Sequence, residues 1–271
     1  MGAQLFDGYR VRRAAGQSAM REYERRKKQW QRRNRRLFRG MAAAVVIIFL
    51  GTSLAAQHHL WPYVGGMLAG AAVSFYIAVH ESPPAWIENY LVGAHGEELT
   101  AKALTPLFKW GWVVVHDLNR IKSNLDHVLV GPGGVFVLDT KNLHGTVVVD
   151  GDRLTLTRPG EARAAYANDN LAGQARAQGS ELNRMLKQRC QLSPWVTAVV
   201  VVWAEFPQQI GHGRSMSYVH GDHLVNWLQS QPARLNAKQI EQIASALKPG
   251  QRRRSKRDTQ TDPANETTLA T

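Results

Sequence analysis

The sequence predicts an α/β domain that follows a pair of short hydrophobic segments. Two uncharged stretches, residues 41–56 and 60–79, come early in the 271-residue chain. Beyond them, short runs of β-branched and apolar residues, separated by Gly, Asn and Asp, alternate with segments of helical periodicity. This order indicates an α/β domain preceded by a two-helix transmembrane hairpin.

The positive charge of the chain is concentrated at its two ends. The net charge is +13, but residues 1–40 hold 13 Lys or Arg against three acidic residues, whereas residues 41–247 hold 15 of each kind. A basic segment directly before a hydrophobic one is typical of a cytoplasmic flank and attracts anionic lipid headgroups. The same arm could neutralise nucleic-acid phosphates, and this alternative stays open.

The two hydrophobic segments predict a retained anchor, because about 40 residues precede the first one and a signal peptide has a much shorter charged region. The charge of the arm predicts a cytoplasmic N-terminus, a two-pass topology and a domain on the same side of the cell membrane. Trp61 and Tyr63 fit the membrane interface. Gly66 and Gly70 have the spacing that lets helices approach, either within this hairpin or in self-association of the chain.

These features divide the chain into a basic cytoplasmic arm (1–40), the hairpin (41–80), a linker (81–92), a folded domain (93–247) and a disordered polar tail (248–271). The single cysteine, Cys190, excludes an intramolecular disulfide and a cysteine-based metal cluster. Periodicity predicts helices at 94–109, at 168–190, after Asp222 and at 236–247, and strands at 112–118, 125–130, 135–140, 146–150, 154–157, 195–203 and 217–220.

Charged residues in one predicted hairpin indicate chemistry. If residues 131–134 form a four-residue loop, Asp126 lies opposite Asp139, and Lys141 shares the face of Asp139. Buried carboxylates need a cation or hydrogen bonds to remain ionised, and Mg²⁺ or Mn²⁺ prefers such oxygen ligands. The pattern predicts a metal site where Lys141 activates a water or stabilises phosphoryl charge. A β-bulge would move Asp139 off this face.

The motifs over about residues 90–230 resemble the nuclease-related domain called NERD, in the PD-(D/E)XK nuclease superfamily. Gly93-Ala-His-Gly-Glu97 is similar to its opening Gly-x-x-Gly-Glu, and Asp126-His127 to its metal-binding Asp-His strand. Residues 133–141 resemble its glycine hairpin and acid-x-Lys strand, and Asn170-Leu-Ala-Gly-Gln174 its Asn-Pro-x-x-Gln helix. The resemblance implies a restriction-endonuclease-like mixed sheet flanked by helices.

The resemblance also implies residue roles. Asp126 and Asp139 are expected as metal ligands, Lys141 as the catalytic lysine, Glu97 as a helix-borne acid that assists the metal, and Gln174 as a supporting polar residue. Glu98 would replace Glu97 if the helix were rotated by one residue. Two positions depart from the pattern, since Leu125 stands where the superfamily has Pro and Asp139 where NERD usually has Glu.

The expected function is a membrane-tethered, divalent-metal-dependent nuclease that cleaves DNA, with the basic arm on anionic lipids. The residues that bind the substrate are not predicted. One alternative is a catalytically inactive nuclease fold that docks nucleic acid or protein at the membrane. Another is a membrane scaffold whose arm and tail contact lipid or partners. The neutral charge of the domain argues for weighing both, because it offers little electrostatic steering toward phosphates.

Overall fold

The computed structural model describes residues 15–55, 61–118, 124–161, 166–168 and 170–247. Within this part of the chain the fold is mixed α/β, with one sheet and seven α-helices. The helices are α1 (Gln17–Arg33), α2 (Arg35–Ala55), α3 (Trp61–Glu81), α4 (Ala85–Leu104), α5 (Leu171–Cys190), α6 (Leu224–Gln229) and α7 (Ala237–Ala246). The strands are β1 (Val113–Leu118), β2 (Leu125–Gly131), β3 (Gly134–Asp150), β4 (Arg153–Thr157), β5 (Tyr166–Asn168), β6 (Val196–Glu205), β7 (Ile210–Gly213) and β8 (Met216–His220).

The main sheet has the strand order β1-β2-β3-β6-β8-β7, and β4 pairs with the second half of β3 and with β5. Strands β1, β2 and β3 run antiparallel to one another, whereas β3, β6 and β8 run parallel. The parallel connection from β3 to β6 passes through α5, as parallel pairing requires a crossover segment. Strand β3 is therefore central, since it joins the antiparallel and parallel halves of the sheet.

Two apolar layers enclose this sheet. On one face, α5 and α7 pack over the strands through residues such as Leu182, Leu186 and Ile243. On the other face, the end of α4 and α6 pack through Leu104, Leu224 and neighbouring side chains. Burial on both faces explains why β6 reads as a continuous run of apolar residues.

Most predicted elements of the domain occur in the structure. The two predicted strands 135–140 and 146–150 are one long strand, because β3 exchanges its partners at a register irregularity between Asn142 and Thr146 without ending. Strands β5 and β7 were not predicted, since both are short. Asp222 does not cap α6: it lies in a 3₁₀ turn, Gly221–His223, which the imidazole of His220 caps by accepting from the Asp222 N–H. Asn236 caps α7 as predicted.

The N-terminal arm forms a helix, α1, that packs along α4. The guanidinium of Arg26 lies 5.8 Å from the ring centroid of Trp86 and 5.1 Å from that of Tyr90. Lys27 Nζ lies 2.8 Å from Glu81 Oε2. Most of the predicted linker 81–92 is helical, because α4 starts directly after Pro84. Proline is tolerated at the start of a helix, where its missing N–H costs no hydrogen bond.

Helices α2 and α3 pack against each other, and Gly65 makes their close contact because a Cβ there would lie 2.7 Å from Thr52 Cβ. Gly66 and Gly70 face away from such contacts. Among the described residues, one helical segment, Tyr63–Glu81, is long and apolar enough to cross a membrane. The predicted two-span hairpin is therefore not shown. The described part of α2 falls short because its first turns carry Arg35, Arg36 and Arg39.

Three predicted segments lie wholly or partly outside the described residues. They are the polar tail 248–271, the first part of the basic arm, and the connector between α2 and α3.

The glycine of the Gly-Glu pair in α4 allows that helix to lie close to β3. A Cβ on Gly96 would lie 2.7 Å from Asn142 Cβ and 3.2 Å from Thr140 Cγ2. Two hydrogen bonds fix the same contact: Thr100 Oγ1 and Thr140 Oγ1 are 3.1 Å apart, and Asn142 Nδ2 donates to Val92 O at 3.0 Å. The close approach places the next residue of the helix, Glu97, beside the strand that bears Asp139.

A matched pair of glycine substitutions tests this packing. Gly96→Ala should destabilise the fold by about 1–3 kcal/mol, because the added methyl forces α4 away from β3. Gly93→Ala, in the same helix with open space around it, should stabilise by about 0.5–1 kcal/mol through helix propensity. Urea unfolding followed by circular dichroism measures both, and equal effects of the two substitutions would contradict the close contact.

Candidate functional site

The β2–β3 hairpin has the register that the sequence predicts. Val130 pairs with Val135, and the ladder continues to His127 opposite Leu138. The next residues along the two strands are Asp126 and Asp139. The N–H of Thr140 donates to Asp126 Oδ2 at 3.1 Å, which holds this carboxylate against β3. The hairpin therefore brings the two predicted metal ligands side by side at the end of the ladder.

Asp139 and Lys141 form an ion pair on one face of β3. Lys141 Nζ lies 2.8 Å from Asp139 Oδ1, and the side chain of Asp139 is 11% exposed against 34% for that of Lys141. Residues two apart on a strand share a face, so the pairing follows from the sequence spacing. The ammonium group therefore stands at the solvent side of the buried carboxylate.

Glu97 joins this group from α4. The residue is 8% exposed, and its Oε2 accepts a hydrogen bond of 3.0 Å from the backbone N–H of Gly16 in the N-terminal arm. Gly16 has φ +77°, and a Cβ there would lie 2.8 Å from Ala94 O, so this position requires glycine. The arm thus contacts the predicted helix-borne acid directly.

Burial and neighbouring carboxylates raise the pKa values of Glu97 and Asp126. Burial raises the pKa of Glu97 to about 7, with further increases from Asp117 and Asp139, against the hydrogen bond from Gly16 and the charge of Lys141. Burial also raises the pKa of Asp126 well above its ordinary value, and Asp139 and Glu97 add to the effect. The ionised forms of Glu97 and Asp126 are therefore disfavoured, and a bound cation would favour them again.

Residues 92–203 match the nuclease-related domain, NERD. The matched span includes Glu97, Asp126, Asp139 and Lys141, and the mixed sheet flanked by helices agrees with a nuclease-like fold. No curated protein and no solved structure matched the chain.

Two other predicted site residues, Gln174 and Glu98, are exposed to solvent. Gln174 is exposed on the first turn of α5, so its side chain is not among the buried carboxylates. Glu98 is exposed as well, and the orientation of α4 therefore points Glu97 rather than Glu98 toward β3. The structure brings Glu97, Asp126, Asp139 and Lys141 together, and the side chain of Gln174 is exposed to solvent.

The sequence reasoning missed Asp117, a further carboxylate of the site. Asp117 is 2% exposed, has φ +50° and accepts a hydrogen bond of 3.0 Å from Asn124 Nδ2 to its Oδ1. It lies on β1 between two residues that pair with β2, which places it beside Asp126. An Asp inside the otherwise apolar run 112–118 was the available signal, but its meaning depends on the β1–β2 register.

The histidine of the Asp-His pair faces a second histidine. His127 is fully buried, and its Nδ1 lies 2.6 Å from His116 Nδ1 across the β1–β2 ladder. Burial lowers the pKa of His116 to about 4 and that of His127 well below its ordinary value, so both rings are neutral at pH 7. Within the described residues, His127 Nε2 has no hydrogen-bond partner.

The carboxylate oxygens of Glu97, Asp126 and Asp139 are of the type that binds hard divalent cations. Carboxylate oxygens are what Mg²⁺ and Mn²⁺ prefer, and a dication beside Asp126 would offset the repulsion that raises its pKa. In the arrangement of the described residues, no three His, Cys, Asp or Glu side chains converge closely enough to hold a metal ion. A cation held by three of these side chains would therefore require side-chain rotation within this group.

Glu97→Gln tests the excess negative charge through the pH dependence of stability. A carboxyl whose pKa rises from 4.5 to about 7 on folding takes up a proton between these pH values. Its stabilisation is therefore complete below about pH 4.5 and is lost as the pH rises through 7. Without divalent cations, Glu97→Gln should stabilise the fold at pH 8 by on the order of 3 kcal/mol and flatten the loss of Tm between pH 5 and 8.

The matched control is Glu98→Gln, which removes the same charge from the exposed neighbouring position. It should leave the pH dependence of Tm unchanged, as measured by differential scanning fluorimetry. If Glu97→Gln also leaves the profile unchanged, Glu97 is not a buried acid with a raised pKa.

Proposed function

We propose that the protein is a membrane-tethered, divalent-metal-dependent nuclease that hydrolyses phosphodiester bonds in DNA. The observation that supports this most is the group of mutually repelling carboxylates, Glu97, Asp126 and Asp139, packed beside Lys141 within the NERD domain. Three neighbouring acids do not stabilise a fold, because like charges repel one another. Groups of this kind occur at functional sites.

The proposed metal ligands are Asp126 and Asp139, with Glu97 assisting from α4. The ion is Mg²⁺ or Mn²⁺, since all three groups present hard carboxylate oxygens. A divalent cation held there would supply a water of lowered pKa and neutralise charge on the phosphoryl oxygens. Rotation of Asp139 away from Lys141 would turn its carboxylate toward the ion.

The proposed role of Lys141 follows from its place at the solvent side of the carboxylates. In hydrolysis, a water oxygen bonds to phosphorus, the bond from phosphorus to the leaving sugar oxygen breaks, and negative charge grows on the phosphoryl oxygens. The ammonium of Lys141 is partly exposed and can reach an approaching phosphate, where it would stabilise that charge. The hydrogen bond from the Thr140 N–H would hold the Asp126 carboxylate beside Asp139 on the adjacent strand.

The proposed location is the cell membrane, with two passes and with the N-terminus and the domain both in the cytoplasm. Support comes from the apolar side chains that α2 and α3 expose, and from the basic α1 that precedes them. The exposed apolar residues include Ile47, Phe49, Leu50, Met67, Leu68, Phe75 and Ile77. A surface of this kind is normally covered by lipid or protein.

Charge-matched substitutions on the same elements test the proposed catalytic group. In the full-length protein, Lys141→Ala should lower the rate of Mg²⁺-dependent DNA cleavage by about 100-fold or more, because charge on the phosphoryl oxygens loses its ammonium partner. Lys102→Ala, at an exposed position of α4, should change the rate less than about twofold. Release of a fluorescent oligonucleotide end measures both.

Asp139→Asn should likewise lower the rate of Mg²⁺-dependent DNA cleavage by about 100-fold or more. The control Asp150→Asn on the same strand should change the rate less than about twofold, because Asp150 is exposed at the far end of β3. Absence of cleavage by the wild-type protein with Mg²⁺, Mn²⁺ or any other divalent cation would refute the nuclease proposal.

A second candidate is a nuclease fold that docks nucleic acid or protein without cleaving it. The observation that favours it is that each carboxylate already has an internal partner: the Gly16 N–H for Glu97, the Thr140 N–H for Asp126 and the Lys141 ammonium for Asp139. A docking module should bind DNA without cleavage in the presence of Mg²⁺, and Asp139→Asn should not change that binding. Filter binding alongside the cleavage assay separates the two functions.

A further inference from the structure

A cavity of about 370 Å³ lies where α1, α2 and α3 meet. Four cationic side chains line it, Lys28 and Arg32 from α1 and Arg35 and Arg39 from the start of α2. Among the described residues that line this cavity, none is acidic. Glu81 lies behind the lining residue His80, and its carboxylate contacts His80 Nδ1 at 3.1 Å through Oε1 and Lys27 Nζ at 2.8 Å through Oε2. The cavity therefore concentrates positive charge without an internal counter-ion among those lining residues.

The other side of the cavity is aromatic and fixed by ring contacts. Phe38 is 6% exposed, and its ring lies edge-on to His80 with the centroids 4.8 Å apart and to Trp30 at 5.3 Å. Tyr76 stacks on His80 at 5.7 Å. The lining thus combines a cationic rim with an apolar floor, as an amphiphilic ligand would require.

The position of this cavity favours a lipid over a soluble anion as its ligand. It lies at the end of the apolar pair of helices, with Ala42 at the start of the uncharged run of α2 and Tyr76 near the end of α3. Exposed apolar side chains occur from Val46 to Leu50 on α2 and from Tyr63 to Ile77 on α3. A phosphate group in the cavity would therefore lie at the level of lipid headgroups, with acyl chains free to follow the apolar helices.

We propose that this cavity is a binding site for the phosphate headgroup of an anionic phospholipid. The inference rests on the membrane tether of the proposed function and is independent of catalysis. The four cations would contact the phosphate while Phe38 and Tyr76 pack against the glycerol and first acyl carbons. Because α1 also carries Arg26 onto α4, the bound lipid would hold the domain at a set distance from the bilayer.

The test uses the full-length protein in a neutral detergent and native mass spectrometry of bound phosphatidylglycerol against phosphatidylcholine. Wild type should retain phosphatidylglycerol selectively. Arg32→Gln with Arg35→Gln should weaken this binding about tenfold, because two cations of the cavity are lost. Arg33→Gln with Arg36→Gln removes the same charge from adjacent exposed positions and should weaken it less than about twofold. Equal effects of the two pairs would overturn the site.

A second pair of variants leaves the charge unchanged. Ala42→Trp should block the cavity and abolish selective retention of phosphatidylglycerol, whereas Ala43→Trp, at an exposed neighbouring position, should not. Equal retention of phosphatidylglycerol by the two Trp variants would overturn the site. Inorganic phosphate is the competing probe, and displacement of the lipid by phosphate at equal concentration would assign the cavity to a soluble anion instead. Flotation of wild type with phosphatidylcholine vesicles tests the tether separately, because it requires the apolar helices and not the cavity.

Discussion

The mutual repulsion of Glu97, Asp126 and Asp139 is the constraint on which the arrangement of this domain depends. Carboxylates that share a desolvated site are costly unless nearby donors or cations offset their charge. Each acid here has such a partner, and the partners come from two parts of the chain: the arm, through the Gly16 N–H, and β3, through the Thr140 N–H and the Lys141 ammonium. The close packing of α4 on β3 and the register of the hairpin bring these parts together.

The β2–β3 hairpin was predictable because its information is local. The residues 131–134 fix the turn, the apolar alternation fixes the faces, and the ladder from Val130 and Val135 follows without knowledge of the rest of the fold. The family resemblance to NERD rested on the same local motifs and agrees with the domain matched at residues 92–203. The roles of the individual residues remain proposals.

Contacts between distant segments could not be read in this way. The docking of α1 on α4, and the hydrogen bond from the Gly16 N–H to Glu97, join residues 81 positions apart. Gly16 looks like one more small residue in a basic arm until its φ of +77° and its contact with Ala94 are known. Asp117 had the same difficulty, because its place beside Asp126 depends on how β1 pairs. The supporting role of Gln174 stays a prediction from a local motif, and the structure adds that this side chain is exposed on the first turn of α5.

Helix α1 connects the basic arm to the domain through its contacts with α4 and Glu97. Helix α1 meets α2 and α3 at the cationic cavity and then runs along α4, so that one end of it faces the proposed membrane surface and the other end contacts Glu97. The charge of the arm thus has a structural use beyond topology, because Arg26 and Lys27 hold it against α3 and α4. The neutral domain contains the span matched to NERD, and the basic arm packs against its first helix.

The central claim is that the carboxylate group takes up a divalent cation, and electron paramagnetic resonance of free Mn²⁺ during a titration tests it most directly. The account predicts saturable binding to the wild-type protein at pH 7.5 that the double substitution Asp126→Asn with Asp139→Asn removes. Binding that is absent from the wild type, or that persists unchanged in the double variant, would contradict it.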